Sequence, residues 1–298
     1  MLVSSQKSSP FNTERERDQM RKSIFFFIII IVIVIIFIIL ISKGDRIHDL
    51  QLLSNDNNND DVLILSVATL NNSGVRNIIN TMRKFGYNYK ILGMGNSWEG
   101  FITKAKLYSE ALAKLDPSQI TVCVDAYDVL VSRTPKGFVE KFLDLSNGAG
   151  KMVFGLERHC GGNCIPIDSW WEKHYPLPPP LTNKFINSGC VVGRAHDLFL
   201  VFNWMVQTHQ KDDQIGLVTY ALDHPDSWVP DINNVLICNH VLGDDESLSK
   251  SSYFHHYPGI MNDKIYNKTT TELLGTSASP MKKIPLIIKT FIHNFVFK

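Results

Sequence analysis

The chain has 298 residues, with 30 basic and 29 acidic side chains and a formal net charge of +1. That balance supplies no strongly basic face, so nucleic acid is not expected as a partner. The length admits one or two domains, and hydropathy divides it unevenly.

Ile24–Ile41, IFFFIIIIVIVIIFIILI, is an apolar run without charge, Gly or Pro. As a helix it rises ~27 Å, enough to cross the thinner endoplasmic-reticulum bilayer. No small-residue cleavage pattern follows in Ser42–Arg46, so the run reads as an uncleaved anchor and not as a removable signal peptide. Lys7, Arg15, Arg17, Arg21 and Lys22 precede it, against Lys43 and Arg46 behind it. This excess places the N-terminus in the cytoplasm. The expected organisation is a cytoplasmic tail (1–23), a transmembrane signal anchor (24–42), a flexible stem (43–61) and a lumenal domain (62–298). The stem's SNDNNNDD is too polar to bury a core. A single-pass type II protein of the endoplasmic reticulum or Golgi membrane follows.

Beyond the stem, strand and helix patterns alternate. Val62–Ala68 is a short apolar strand, followed by turn residues TLNNSG. Val75, Ile78, Ile79 and Met82 recur at helical spacing up to Gly86. Tyr89–Leu92 reads as a second strand, GMGNSWEG as a loop, and Phe101–Asp116 as a helix stopped before Pro117. Ile120–Val124 is a third strand, Pro135–Leu145 a helix with proline near its start, and Lys151–Gly155 another strand. The alternation predicts an α/β fold with a mostly parallel sheet and helices on both faces. The proline run Tyr175–Leu181 is a loop that no central strand accommodates.

One strand carries the chemistry. TVCVDAYDVLV (Thr121–Val131) is apolar except for Thr121, Asp125, Tyr127 and Asp128, and an unpartnered carboxylate there is costly. Ligands bind at the carboxyl ends of strands in open α/β sheets, where the two aspartates stand. Paired carboxylate oxygens suit a hard cation such as Mg²⁺ or Mn²⁺ that bridges to phosphate.

Six segments then carry a resemblance: VATLNNSG (Val67–Gly74), ILGMGNSWEG (Ile91–Gly100), VDAYDVLV (Val124–Val131), FINSG (Phe185–Gly189), KDDQ (Lys211–Gln214) and HYPG (His256–Gly259). Their order and spacing resemble the glycosyltransferase domain of the multifunctional procollagen lysyl hydroxylases, over about residues 62–259. The resemblance implies a GT-A fold and a Mn²⁺-dependent transfer from UDP-glucose or UDP-galactose to a hydroxyl on a protein or glycan acceptor, including collagen-like hydroxylysine. It implies Asp125, Asp128 and His256 as metal ligands. Val67, Thr69 and Tyr127 would meet the uridine, Trp98 would lie near the nucleotide, and Lys104 would approach phosphate. Asn187 with Asp212 or Asp213 would address the donor sugar and acceptor, one aspartate taking the acceptor's proton. His255 and His256 point to opposite faces of a strand; His256 is preferred because Gly259 follows it at the family's spacing.

Plainer roles exist for each: a helix cap for Asp212–Asp213, packing for Trp98, a solvated helix face for Lys104, a turn for Asn187–Gly189, and a core or surface position for either histidine. The segment His159–Leu181 departs from the family. Its Cys160 and Cys164 suit a disulfide, or, with His159 and His174, a zinc site. That departure motivates an alternative, a catalytically inactive membrane-anchored module that binds glycan or protein. His224 and Asp226 fit the H-x-D of an iron site only superficially. Sequons stand at Asn71 and Asn267, with Asn267 preferred because a glycan at Asn71 would crowd the binding edge. The apolar, basic C-terminus packs on the domain or touches a membrane surface.

Overall fold

The computed structural model describes residues 62–158, 165–174, 184–240, 251–260 and 263–275. The expected tail, anchor, stem, CGGNC segment with its disulfide or zinc alternative, proline run and C-terminal segment lie outside these residues. Among the described residues no helix is long and apolar enough to cross a membrane.

In chain order the elements are β1 (Val62–Val67), α1 (Ser73–Phe85), β2 (Asn88–Leu92), α2 (Phe101–Leu112), β3 (Ile120–Asp125), β4 (Val129–Val131), α3 (Phe138–Leu145) and β5 (Met152–Glu157). There follow α4 (Asp168–His174), β6 (Phe185–Arg194), α5 (Ala195–Gln207), α6 (Asp213–Asp223), β7 (Trp228–Asp231), β8 (Ile237–Asn239), β9 (Phe254–His256) and α7 (Asp263–Leu274). The main sheet has the order β2-β1-β3-β6-β5-β7. Its strands run parallel except β6, which is antiparallel to both β3 and β5.

Strand alternation explains why the central strands are apolar almost throughout: each faces a helical layer on both sides. Leu63, Leu65 and Val67 pack with Ala105 and Tyr108 of α2 and Leu198 and Val201 of α5. Val62 and Ile64 pack on the other side with Ile78 and Met82 of α1 and Phe138 and Phe142 of α3.

Helix α1 starts where the Asn72 side chain accepts from Val75 N, and it stops at Gly86 in the left-handed region (φ 76°). Helix α2 is shorter than Phe101–Asp116: after Leu112 the chain tightens, with Lys114 N donating to Ala111 O and Leu115 N to Leu112 O. Helix α3 begins only after Gly137, whose φ of 74° is incompatible with the first turn. A second sheet, β4-β9-β8, pairs Val129 with His256 and Leu130 with His255 across an antiparallel ladder. On its other side β9 pairs in parallel with β8, setting His255 beside Cys238 and His256 beside Asn239.

Candidate active site

Asp125 is the last residue of β3, in register with Val67 at the end of β1. A turn over Ala126–Asp128 leads into β4, so the two aspartates stand where the main sheet ends and the small sheet begins. His256, at the end of β9, completes a cluster in which one ligand atom from each of Asp125, Asp128 and His256 lies within 4.8 Å of the others.

Each carboxylate has one oxygen held by the protein and the other turned to His256. Asp125 Oδ1 is 2.5 Å from Lys104 Nζ, and Oδ2 is 3.9 Å from His256 Nε2. Asp128 Oδ2 accepts from Gly259 N at 3.0 Å, and Oδ1 is 3.5 Å from His256 Nε2. His256 Nδ1–H donates to Asn239 Oδ1 at 2.8 Å. The Asn239 amide is itself oriented, because its Nδ2 donates to Leu156 O. The imidazole therefore turns Nε2 to the carboxylates and leaves it as the nitrogen that would ligate a cation, as in a histidine oriented by an outer partner. Burial alone would lower the His256 pKa, but Asp128 and Asp125, with Glu157 further off, raise it above the ordinary value. Two carboxylate oxygens and one imidazole nitrogen converging on one point fit a hard or borderline divalent cation such as Mn²⁺.

Lys104 is buried on α2 and not on a solvated face. Besides Asp125 it meets Asp213 Oδ2 at 2.6 Å and the Ser188 carbonyl at 3.3 Å. Burial would lower its pKa, yet the two carboxylates hold it well above the usual lysine range. Asp213 opens α6 and faces this cluster. Asp212 is the N-cap, its Oδ1 accepting from Ile215 N at 2.9 Å. Burial pushes its pKa up, countered in part by the N–H groups of the first helical turn. The two aspartates thus divide the alternatives: one caps and the other meets Lys104.

Asn187 is buried on β6 and donates to Glu157 Oε2 at 3.1 Å, while its Oδ1 accepts from Gly189 N. Glu157 Oε1 accepts from Gln214 Nε2, and Gln214 Oε1 accepts from Ser188 N and lies 3.2 Å from Ser188 Oγ. Ser188 Oγ is equally 3.2 Å from Asp213 Oδ2, so its one proton lies between these two acceptors. A continuous polar network joins Asn187 to Lys104 and hence to Asp125.

Tyr127 turns the other way. Its hydroxyl accepts from Thr69 N at 3.2 Å and Leu70 N at 3.3 Å, and the residue packs against the buried cluster of Ala68, Val75 and Ala126. Gly74 permits this approach, since a Cβ there would lie 2.2 Å from the Tyr127 carbonyl oxygen. Trp98 stands apart, 46% exposed and edge-on to Phe101 at 5.9 Å. Its loop is tied to the β1 end by Gly95 N donating to Thr69 O.

Glu157, Ser188, Gln214 and Asn239 were not singled out by sequence reasoning. Glu157 had a signal, an acid closing the apolar strand MVFGLE just as Asp125 closes TVCVD. Asn239 had none. His224 belongs to neither metal-competent cluster among the described residues; it stacks on Tyr220 and its Nδ1 contacts Tyr220 O. Of the two sequons, Asn71 is exposed and Asn267 is half-buried within α7, its side-chain Oδ1 buried.

This architecture is an α/β fold with a mostly parallel sheet and acids at the carboxyl end of β3. The family model of the PLOD GT domain matches residues 58–227, and the chain belongs to that family of glycosyltransferase domains. It is 29% identical over 174 residues to a procollagen-lysine,2-oxoglutarate 5-dioxygenase of Drosophila melanogaster, covering 55% of this chain and 23% of that protein. It is 24% identical over 173 residues to a multifunctional procollagen lysine hydroxylase and glycosyltransferase of Caenorhabditis elegans, again covering 55% of this chain and 23% of the other. The chain thus spans about a quarter of the length of these relatives. A glycosyltransferase involved in glycosylation of the major capsid of PBCV-1 aligns over 72% of this chain and 99% of its own, at 16% identity and a TM-score of 0.45.

Proposed function

We propose that this chain is a membrane-anchored glycosyltransferase, its domain in the lumen of the endoplasmic reticulum or Golgi. It moves glucose or galactose from a UDP-sugar to a hydroxyl of a protein or glycan acceptor, such as collagen-like hydroxylysine or its glycan. The observation that carries this reading is the convergence of Asp125 Oδ2, Asp128 Oδ1 and His256 Nε2 where the carboxyl end of β3 in the mostly parallel sheet meets β9 of the small sheet. Mn²⁺ held by these atoms would supply neutralisation of the charge on the departing diphosphate.

The remaining roles belong to the chain's own side chains. Val67, Thr69 and Tyr127 line the uridine end, where the Tyr127 hydroxyl braces the loop after β1. Trp98 is the exposed aromatic that closes over the nucleotide. Lys104 places a buried positive charge beside the phosphates. Asn187, held by Glu157, orients the donor sugar. Asp213 faces the transfer point and takes the proton from the acceptor hydroxyl, while Asp212 anchors the helix that presents it.

The test is UDP release by the full-length chain in detergent with each donor, with and without Mn²⁺. Metal-dependent release that Asp125→Ala and Asp128→Ala abolish supports the reading. Turnover unchanged in those variants sinks the site assignment, and failure to bind UDP with Mn²⁺ sinks the transferase.

A further inference from the structure

β9 carries adjacent histidines, and alternation sends them to opposite sides of the small sheet. His256 joins the carboxylates. His255 joins Cys238 and His240, all three buried, with one ligand atom from each within 4.8 Å of the others.

The backbone sets this trio up. Cys238 is in register with His255 across the β8–β9 ladder, and His240 follows Cys238 by two residues on the same face. Its backbone N–H donates to His256 O. The His240 ring lies flat on Tyr257, centroids 4.5 Å apart and planes 7° from parallel. His255 Nε2 is 3.0 Å from Ser132 Oγ, and Ser132 Oγ donates to the Ser252 carbonyl at 2.6 Å. A hydroxyl that spends its proton on a carbonyl can only accept from the imidazole. His255 therefore carries its proton on Nε2 and turns the Nδ1 lone pair inward, 2.9 Å from His240 Nε2. This is the arrangement by which an outer partner orients a ligating histidine.

A single N–H···N bond would satisfy the two imidazoles without any sulfur nearby. The thiol of Cys238 makes the set a soft one, two nitrogens and one sulfur, whereas the cluster on the other face offers two oxygens and one nitrogen. Softness separates their preferences: thiolate with imidazole suits zinc, carboxylate suits manganese or magnesium. We propose that Cys238, His240 and His255 form a second metal site, separate from the Asp125–Asp128–His256 cluster, that takes a thiophilic divalent cation of the zinc class. Binding releases the thiol proton to solvent and places the remaining His240 ring proton on Nδ1. The ion ties β8 to β9 and so steadies the strand that presents His256. This site goes beyond the transferase reading and stands whether or not that reading holds.

The test uses the full-length chain in detergent, stripped with chelator and titrated with Co²⁺. A thiolate-to-cobalt charge-transfer band is expected, lost on addition of Zn²⁺. It should survive Asp125→Asn with Asp128→Asn and vanish in Cys238→Ser. No band in the folded wild type, or a band that persists in Cys238→Ser, overturns the site. Because Cys238→Ser sits in the core, X-ray absorption of the zinc-loaded wild type serves as a second measurement. One sulfur and at least two imidazole nitrogens in the zinc shell support the assignment; no sulfur, or two sulfurs, overturns it.

Discussion

Gly189 leaves the space that the His256 imidazole fills: a Cβ at residue 189 would fall 2.1 Å from His256 Cε1 and 2.4 Å from Nε2. The glycine of FINSG is thus a steric condition for the histidine of HYPG, although 67 positions separate Gly189 from His256. Gly189→Ala should push the ring off the Asp125–Asp128 axis and weaken metal binding by ~10–100-fold, the effect typical of lost orientation at a ligand. A Mn²⁺ titration of UDP release reads this directly. An unchanged half-saturating Mn²⁺ concentration would mean that His256 is not a ligand.

Lys104 is the buried cation between Asp125 and Asp213. Lys104→Met leaves both carboxylates without it, and loss of one partner of a buried pair costs about 3–5 kcal/mol. Asp125 is a third exposed, so water recovers part of this and the low end is expected. Urea denaturation without metal measures the loss. Added Mn²⁺ should stabilise the variant more than the wild type, because the ion replaces the missing positive charge.

The same lysine makes an alkaline prediction. Its pKa is raised in the folded state above the ordinary value of 10.5. Above that ordinary value the unfolded chain releases the proton while the folded chain keeps it, so the folded state binds more protons and stability falls as pH rises. The contribution is fully present below about 10.5 and is lost on climbing toward the folded value. Stability measured between neutral pH and pH ~11 should fall more steeply in the wild type than in Lys104→Met. Parallel curves would remove Lys104 as the cause.

What the sequence disclosed follows from where each signal resides. Asp125 and Asp128 were legible because an acid in an apolar run violates the strand's own logic, and Gly86 because a helix stop is local. Helix α2 ran past its true end on paper because nothing before Pro117 forbids the helix; the chain tightens after Leu112 in the folded state. The division of labour between Asp212 and Asp213 was illegible, since adjacent aspartates differ only in where the first turn of α6 points them. Asn239 was illegible too, because its partner His256 is 17 residues away on a neighbouring strand. Registers between strands are set by the whole sheet and leave no local mark.

Glu157 accepts from two amides, Asn187 Nδ2 and Gln214 Nε2. Glu157→Gln can present only one oxygen, so its own amide meets one of theirs. Leaving a buried donor unsatisfied costs about 1–3 kcal/mol. Gln214 cannot turn over without abandoning Ser188 N, so the disturbance reaches Asn187 or Ser188. Turnover should fall ~10-fold or more from misplacement alone, with the Mn²⁺ requirement unchanged. A shifted Mn²⁺ requirement would place Glu157 in the metal cluster instead.

Asp212 and Asp213 give the sharpest contrast. Asn caps helices as well as Asp, so Asp212→Asn should keep stability within about 0.5 kcal/mol and retain most turnover. Asp212→Ala should cost about 1 kcal/mol and leave the chemistry largely intact once folded. Asp213→Asn removes the carboxylate that faces Lys104 and Ser188, and with it the group assigned to the acceptor's proton. A loss of ~10²–10⁴-fold is expected from removing a general base. Donor binding, read by UDP titration with Mn²⁺, should change far less than turnover. The opposite order, with Asp212→Asn inactive and Asp213→Asn active, would move the proton to Asp212 and leave Asp213 as the counter-charge that holds Lys104 in place.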